Sequence, residues 1–220
     1  MNDELKNSVL KTGTSLIGLV CKDGVVLGAD RQVTAGTIVT NKNYRKISKI
    51  NDYLIAAYTG MVADAQFLNR LIAAELKLKE LKSKERPTVK ESAVLLSTIT
   101  FRNIRQFSTI PSIVGTLVVG FDEDGSAHLY SIEPAGGIYE VEDYDANFSA
   151  GMPYILGLLE RSYRKDLSVE EGVKLAIDSL KAAMQRDVGS GYGVDVFTVT
   201  KDGIKQVISE EIVQELKKSK

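Results

Sequence analysis

Chemistry in this chain begins at Gly13-Thr14-Ser15. A threonine hydroxyl is a poor nucleophile until a base takes its proton. A cut after Gly13 would leave Thr14 with a free α-amine beside its own hydroxyl. Such an amine has an ordinary pKa of ~7.7–8 and is a base poised near neutrality. The plain alternative is that Thr14 merely opens the apolar run Leu16-Ile17-Gly18-Leu19-Val20-Cys21 as a strand residue. Taken alone, the segment favours that alternative. Other polar residues are spaced further along. Asp30-Arg31 stands abruptly after Val25-Val26-Leu27-Gly28-Ala29, and Lys46 lies in Arg45-Lys46-Ile47. Asp187 follows the last long helical pattern, and Ser190 comes three residues later in a glycine-rich turn. Each on its own reads as a solvated charge or hydroxyl at the end of an element; their joint order is the specific signal.

The elements that must carry these residues follow from periodicity. Strands are expected at Ser15–Cys21, Val25–Ala29 and Tyr53–Thr59, with Lys22-Asp23-Gly24 as the hairpin turn between the first two. A long helix fits Asp64–Lys82, with Leu68, Leu71, Leu78 and Leu81 on one side. Thr88-x-x-Glu91 reads as a capping box opening a second helix, with Leu95, Leu96 and Ile99 inward. A second strand set follows at Gly115–Phe121, His128–Glu133, Gly137–Glu142 and Ala146–Ser149. Pro153 starts a third helix reaching Tyr163, and Ser168-x-x-Glu171 caps a fourth. Asp195–Thr200 and Ile204–Ile208 form a closing hairpin before a short charged helix. Strands, two helices, strands, two helices, strands is not the alternation of a parallel α/β fold. It suits an α+β architecture of two stacked, mostly antiparallel sheets with a helix pair on each outer face.

Composition bounds the function. At 220 residues with 44% apolar content, one domain with a substantial core is expected. A net charge of −1 without a basic block speaks against nucleic acid as the main partner. No apolar run approaches the roughly 18–20 residues of a membrane span, and the charged leader Met1–Gly13 does not read as a secretory signal. The single cysteine, Cys21, excludes an internal disulfide and suits the cell interior. His128 is the one histidine, so a histidine triad or multi-histidine metal site is not expected. Gly189-Ser190-Gly191-Tyr192-Gly193 is glycine-rich but precedes a strand, which argues against a phosphate cradle.

The separated residues together resemble the proteasome β-subunit family of N-terminal-nucleophile hydrolases, and are similar to its archaeal members. The resemblance runs from Gly13 to about Val207. It rests on Gly13-Thr14, on Gly28-Ala29-Asp30-Arg31-Gln32-Val33-Thr34, and on Arg45-Lys46-Ile47. Tyr58-Thr59-Gly60-Met61-Val62-Ala63-Asp64 and Gln185-Arg186-Asp187-Val188-Gly189-Ser190-Gly191 carry it further. It implies a four-layer αββα sandwich over residues 14–220 and a propeptide, residues 1–13, removed by autocatalysis. Thr14 would be the nucleophile and its α-amine the general base through a water. Lys46, held by Asp30, would lie near the Thr14 hydroxyl. The Gly60 N–H would stabilise the oxyanion, and Asp187 with Ser190 would fix the Thr14 amine. Thr34 would pair with the substrate backbone. Val33, Tyr44, Tyr58 and Val62 would line the pocket for the residue before the cut; none is charged, so a hydrophobic preference is expected. The resemblance implies no cofactor or metal and a cytoplasmic location. Its partners would be homologous β-subunits in seven-membered rings, α-subunit rings, an ATPase regulator reached through them, and unfolded polypeptides. The family pattern has a serine where this chain has Ala150, which leaves a weakly active subunit, completing a ring beside an active paralogue, as the alternative. A small-molecule amidase on the same fold ranks behind both.

Overall fold

Leu16–Cys21 and Leu54–Gly60 are almost continuously apolar, where a strand with one face in water would alternate. Such strands need cover on both faces, and the fold supplies it. The computed structural model describes residues 13–211. One antiparallel sheet joins β1 (Leu16–Cys21), β2 (Gly24–Asp30), β10 (Tyr144–Asp145), β11 (Gly193–Thr200) and β12 (Gly203–Glu211) in the order β10-β1-β2-β11-β12. The other joins β5 (Ile47–Lys49), β6 (Leu54–Gly60), β7 (Val114–Phe121), β8 (Ala127–Ile132) and β9 (Ile138–Glu140) in chain order. β3 (Val33–Ala35) and β4 (Ile38–Asn41) make a separate two-stranded ribbon.

Three apolar interlayers hold four layers together. Leu16, Leu27, Ile55 and Leu117 meet between the sheets. Ile17, Leu19 and Val26, on the opposite face of the first sheet, pack on α3 (Met152–Ser162) and α4 (Val169–Met184) through Ile155, Leu159 and Leu180. Leu54, Tyr58 and Val118 pack on α1 (Val62–Ser83) and α2 (Val89–Arg105) through Leu68, Ile72 and Leu96. Alternation along each strand therefore serves two interlayers at once. The expected α+β sandwich, helix pairs outside, is the observed architecture. Both expected capping boxes form, Thr88 with Glu91 and Ser168 with Glu171, each of a kind that contributes about 1 kcal/mol.

Two local expectations are corrected. The buried stripe of α1 is Ala65, Leu68, Ile72 and Leu76, while Leu78 and Leu81 are 46% and 65% exposed. At about 100° per residue, Leu78 lies some 200° around the helix from Leu76. Ala146–Ser149 is not a strand. Asp145 Oδ1 accepts from the N–H groups of Ala146 and Asn147, and Asn147 takes a left-handed φ of 46°, so pairing stops at Asp145. The short strands β3, β4 and β5 are additions to the expected set. β12 runs to Glu211, and the rest of the expected closing helix lies outside the described residues.

Candidate active site

Asp30 organises this end of the molecule. It ends β2, fully buried, and its carboxylate accepts four hydrogen bonds. Oδ1 takes the Ser15 N–H at 2.8 Å and the Lys46 ammonium at 2.6 Å. Oδ2 takes the Gln32 N–H at 2.9 Å and the Gly191 N–H at 3.0 Å. Charge-assisted bonds of this kind are the strong ones, and the set fills the carboxylate. Lys46, just before β5, is 5% exposed. Burial pushes its ammonium below the ordinary lysine pKa of 10.5, and Asp30 partly offsets that.

Thr14 lies two residues before β1, and its neighbour Ser15 accepts from the Asp30 N–H at 3.1 Å where β1 and β2 pair. Thr14 is buried and still joined to Gly13. Its hydroxyl donates to the Gly13 carbonyl oxygen at 2.6 Å, and Lys46 Nζ reaches the same oxygen at 3.4 Å. The Thr14 carbonyl is held by the Gly151 N–H at 3.1 Å. Ser190 donates a short bond to Asp187 Oδ2, so its oxygen accepts from Ser15 Oγ at 2.8 Å. Asp187 and Ser190 thus form a hydroxyl chain that ends on Ser15, the neighbour of Thr14, and not on Thr14 itself. Ala150 is exposed, next to the Gly151 that grips Thr14. Ser149 cannot substitute for a hydroxyl there, because its Oγ donates to Ala146 O at 2.7 Å.

A cleft of about 190 Å³ opens beside these groups, lined by Gly13, Thr14, Lys46, Gly60, Val33, Thr34, Tyr44, Tyr58 and Val62. All these expected residues meet there. Gly60 must be glycine: its φ is 110°, and a Cβ would lie 2.1 Å from Ile113 O. Sequence reasoning missed Gln32, Ser48, Ala65, Gln66, Asn69 and Arg70, which line the same cleft. The signal was helical spacing: Gln66, Asn69 and Arg70 follow Val62 at intervals that return to one face of α1. Tyr58 donates to Asn69 Oδ1 at 3.0 Å, and burial pushes its phenol well above the ordinary tyrosine range. Val33, Tyr44, Tyr58 and Val62 line the cleft as uncharged residues, and Arg70 adds a charge that the sequence reading did not include. A second missed feature is Asp195, which accepts from Arg31 at 2.6 and 3.0 Å and from Arg45 at 2.9 Å. Those arginines adjoin Asp30 and Lys46 in the chain, so one buried carboxylate steadies both.

Comparison with known proteins decides the family. A model of the family described as proteasome subunit matches residues 10–199. The chain belongs to the proteasome subunit family. A proteasome subunit beta of Archaeoglobus profundus is 42% identical over 212 residues, covering 96% of this chain and 95% of that protein. One from Ferroglobus placidus is 43% identical over 206 residues, covering 94% and 95%. One from Methanocaldococcus jannaschii is 40% identical over 200 residues, covering 91% and 87%. These relatives put the chain with the β-type subunits of the proteasome, a protease assembled from several subunits. No helix among the described residues is long and apolar enough to cross a membrane.

Proposed function

We propose that this chain is a catalytic proteasome β-subunit, a threonine-type endopeptidase that removes its own residues 1–13. The observation that carries the reading is the meeting of the Thr14 hydroxyl and the Lys46 ammonium on one oxygen, the Gly13 carbonyl, at 2.6 and 3.4 Å. In processing, Thr14 Oγ attacks the Gly13 carbonyl carbon and forms a C–O bond. The hydroxyl proton passes to the Thr14 nitrogen as the C–N bond breaks, leaving an ester and a free α-amine. Water then hydrolyses the ester, releasing the leader as a Gly13 carboxylate and restoring the hydroxyl.

In turnover the α-amine accepts the Oγ proton through a water, and Oγ attacks the substrate carbonyl. Lys46, kept cationic by Asp30, lowers the proton affinity of both Thr14 groups. The Gly60 N–H stabilises the oxyanion, a donor whose loss typically costs ~10²–10³ in rate. The proton goes to the leaving amine, and water cleaves the acyl-enzyme. The substrate adds as a strand along Thr34, which tolerates many sequences. The setting is a cytoplasmic barrel of seven-membered β-rings between α-rings, fed with unfolded polypeptide by an ATPase regulator.

Intact mass after assembly with α-subunits tests this: wild type loses residues 1–13, and Thr14→Ala keeps them. An intact leader in properly assembled wild-type particles refutes it. Ala150 favours a second reading, a weakly active subunit completing the ring beside an active paralogue. That reading keeps the cut but gives slow peptide hydrolysis per cleaved chain.

A further inference from the structure

The glycine-rich turn after α4 has a use that the phosphate-cradle motif does not describe. A Cβ built on Gly189 would lie 2.4 Å from Gly13 Cα and 3.4 Å from its N and C, its three nearest neighbours. A Cβ built on Gly13 would lie 2.1, 2.3 and 2.5 Å from Gly189 Cα, O and C. All of these are backbone atoms, so no side chain can swing aside. Gly189 has no φ in the left-handed region, so alanine is conformationally allowed there. Contact alone forbids it.

Neither backbone is free to retreat. On one side the Gly189 N–H donates to Asp187 Oδ1 at 3.1 Å, and Val188 O accepts from Gln32 Nε2 at 2.7 Å. On the other, Thr14 O is held by Gly151 and the Ser15 N–H by Asp30. A methyl between them must displace Gly13 and its carbonyl from Thr14 Oγ and Lys46. Resting on the proposed self-cleavage, we infer that Gly189 is a positioning residue for the precursor alone. It must be glycine while Gly13 is attached, because that carbonyl is then the one attacked. Once the leader has gone, no atom of the described residues, its chain neighbours aside, lies closer than 3.4 Å to a methyl at 189.

Time courses of leader loss, by intact mass on full-length chains assembled with α-subunits, test this. Gly189→Ala should cleave about 100-fold more slowly than wild type, the scale expected for a misplacement near 1 Å. The chains that do cleave should hydrolyse a fluorogenic peptide, per mole of free Thr14 terminus, within about two-fold of wild type. Wild-type speed of cleavage in Gly189→Ala overturns the inference. So does an equal loss in peptide hydrolysis, which would assign Gly189 to the mature site. If Gly189→Ala does not assemble, Gly13→Ala decides, since its cleaved product is identical to the wild-type one. The same delay is expected there, and a normal rate overturns the inference. Failure of wild type itself to cleave would instead refute the functional reading beneath it.

Discussion

Asp30→Asn strips one charge from the site while keeping its shape. The wild-type carboxylate accepts two bonds at each oxygen, from Ser15 and Lys46 on one and from Gln32 and Gly191 on the other. An amide turns one of those oxygens into an NH₂, which must face either Lys46 or two backbone donors. It also leaves Lys46, 5% exposed, as a buried cation without its anion. Removing one partner of a buried pair typically costs about 3–5 kcal/mol. Each kcal/mol moves the melting midpoint by about 2–4 °C in a chain of this size, so a fall of roughly 6–20 °C is expected near neutral pH.

The sign of the pH dependence follows from Lys46. Burial already lowers its folded pKa, and Asp30 raises it back in part. Without Asp30 the folded value drops further, while the unfolded value stays near ~10.4. Between the two, the unfolded chain binds the extra proton, so stability rises with pH. The Asp30→Asn deficit should therefore narrow from about pH 7 towards pH 10. Melting of the unassembled subunit, followed by circular dichroism across that range, reads it directly. Asp30→Asn combined with Lys46→Met should recover at least half the neutral-pH loss, since it removes the stranded charge. A single variant within about 1 kcal/mol of wild type, or a double variant less stable than the single, refutes this account of the site.

Four further expectations are separable. If turnover needs a charged Lys46, kcat falls as pH rises through a pKa below the ordinary lysine value of 10.5; Lys46→Arg should remove that limb, because guanidinium does not deprotonate. Arg70→Glu should shift the kcat/KM ratio of glutamate-bearing to lysine-bearing peptides, at the residue before the cut, towards lysine by about 5-fold, a modest change because Arg70 is exposed. An unaltered ratio would remove Arg70 from the specificity pocket. Ala150→Ser should raise kcat about 10-fold at constant KM, roughly the worth of one hydrogen bond to a charged group; an unchanged kcat would mean that no hydroxyl is missed there. Asp195→Asn should slow both leader loss and peptide hydrolysis, as it loosens Arg31 and Arg45 beside Asp30 and Lys46; undiminished rates would make Asp195 purely structural.

Legibility in the sequence depended on how far each residue's reason lay from it. Apolar runs and capping boxes carry their causes within a few residues, so strands such as Leu16–Cys21 and the start of α2 could be read directly. Leu78 and Leu81 misled because a leucine states that burial suits it, not which face of a helix provides the burial. Asp30 and Lys46 stood out as charges interrupting apolar segments. Asp195, which anchors the neighbouring Arg31 and Arg45, did not, because its bond to Arg31 spans 164 positions. Ser15 likewise meets Ser190 across 175 positions.

The glycine run makes the same point most sharply. Gly193 is fixed by its own backbone, with φ at 147° and a Cβ only 2.4 Å from Glu210 O. Gly191 lies against the Gln32 amide, 2.7 Å from where a Cβ would sit, and gives its N–H to Asp30. Gly189 is fixed by Gly13, whose backbone supplies the three nearest atoms to a Cβ built there. One short glycine-rich string thus answers three unrelated neighbours, and a motif scan treats it as one message. Two of those demands are permanent, whereas the third lasts only as long as the bond to Thr14, and that difference in lifetime is what separating the rates of processing and turnover would detect.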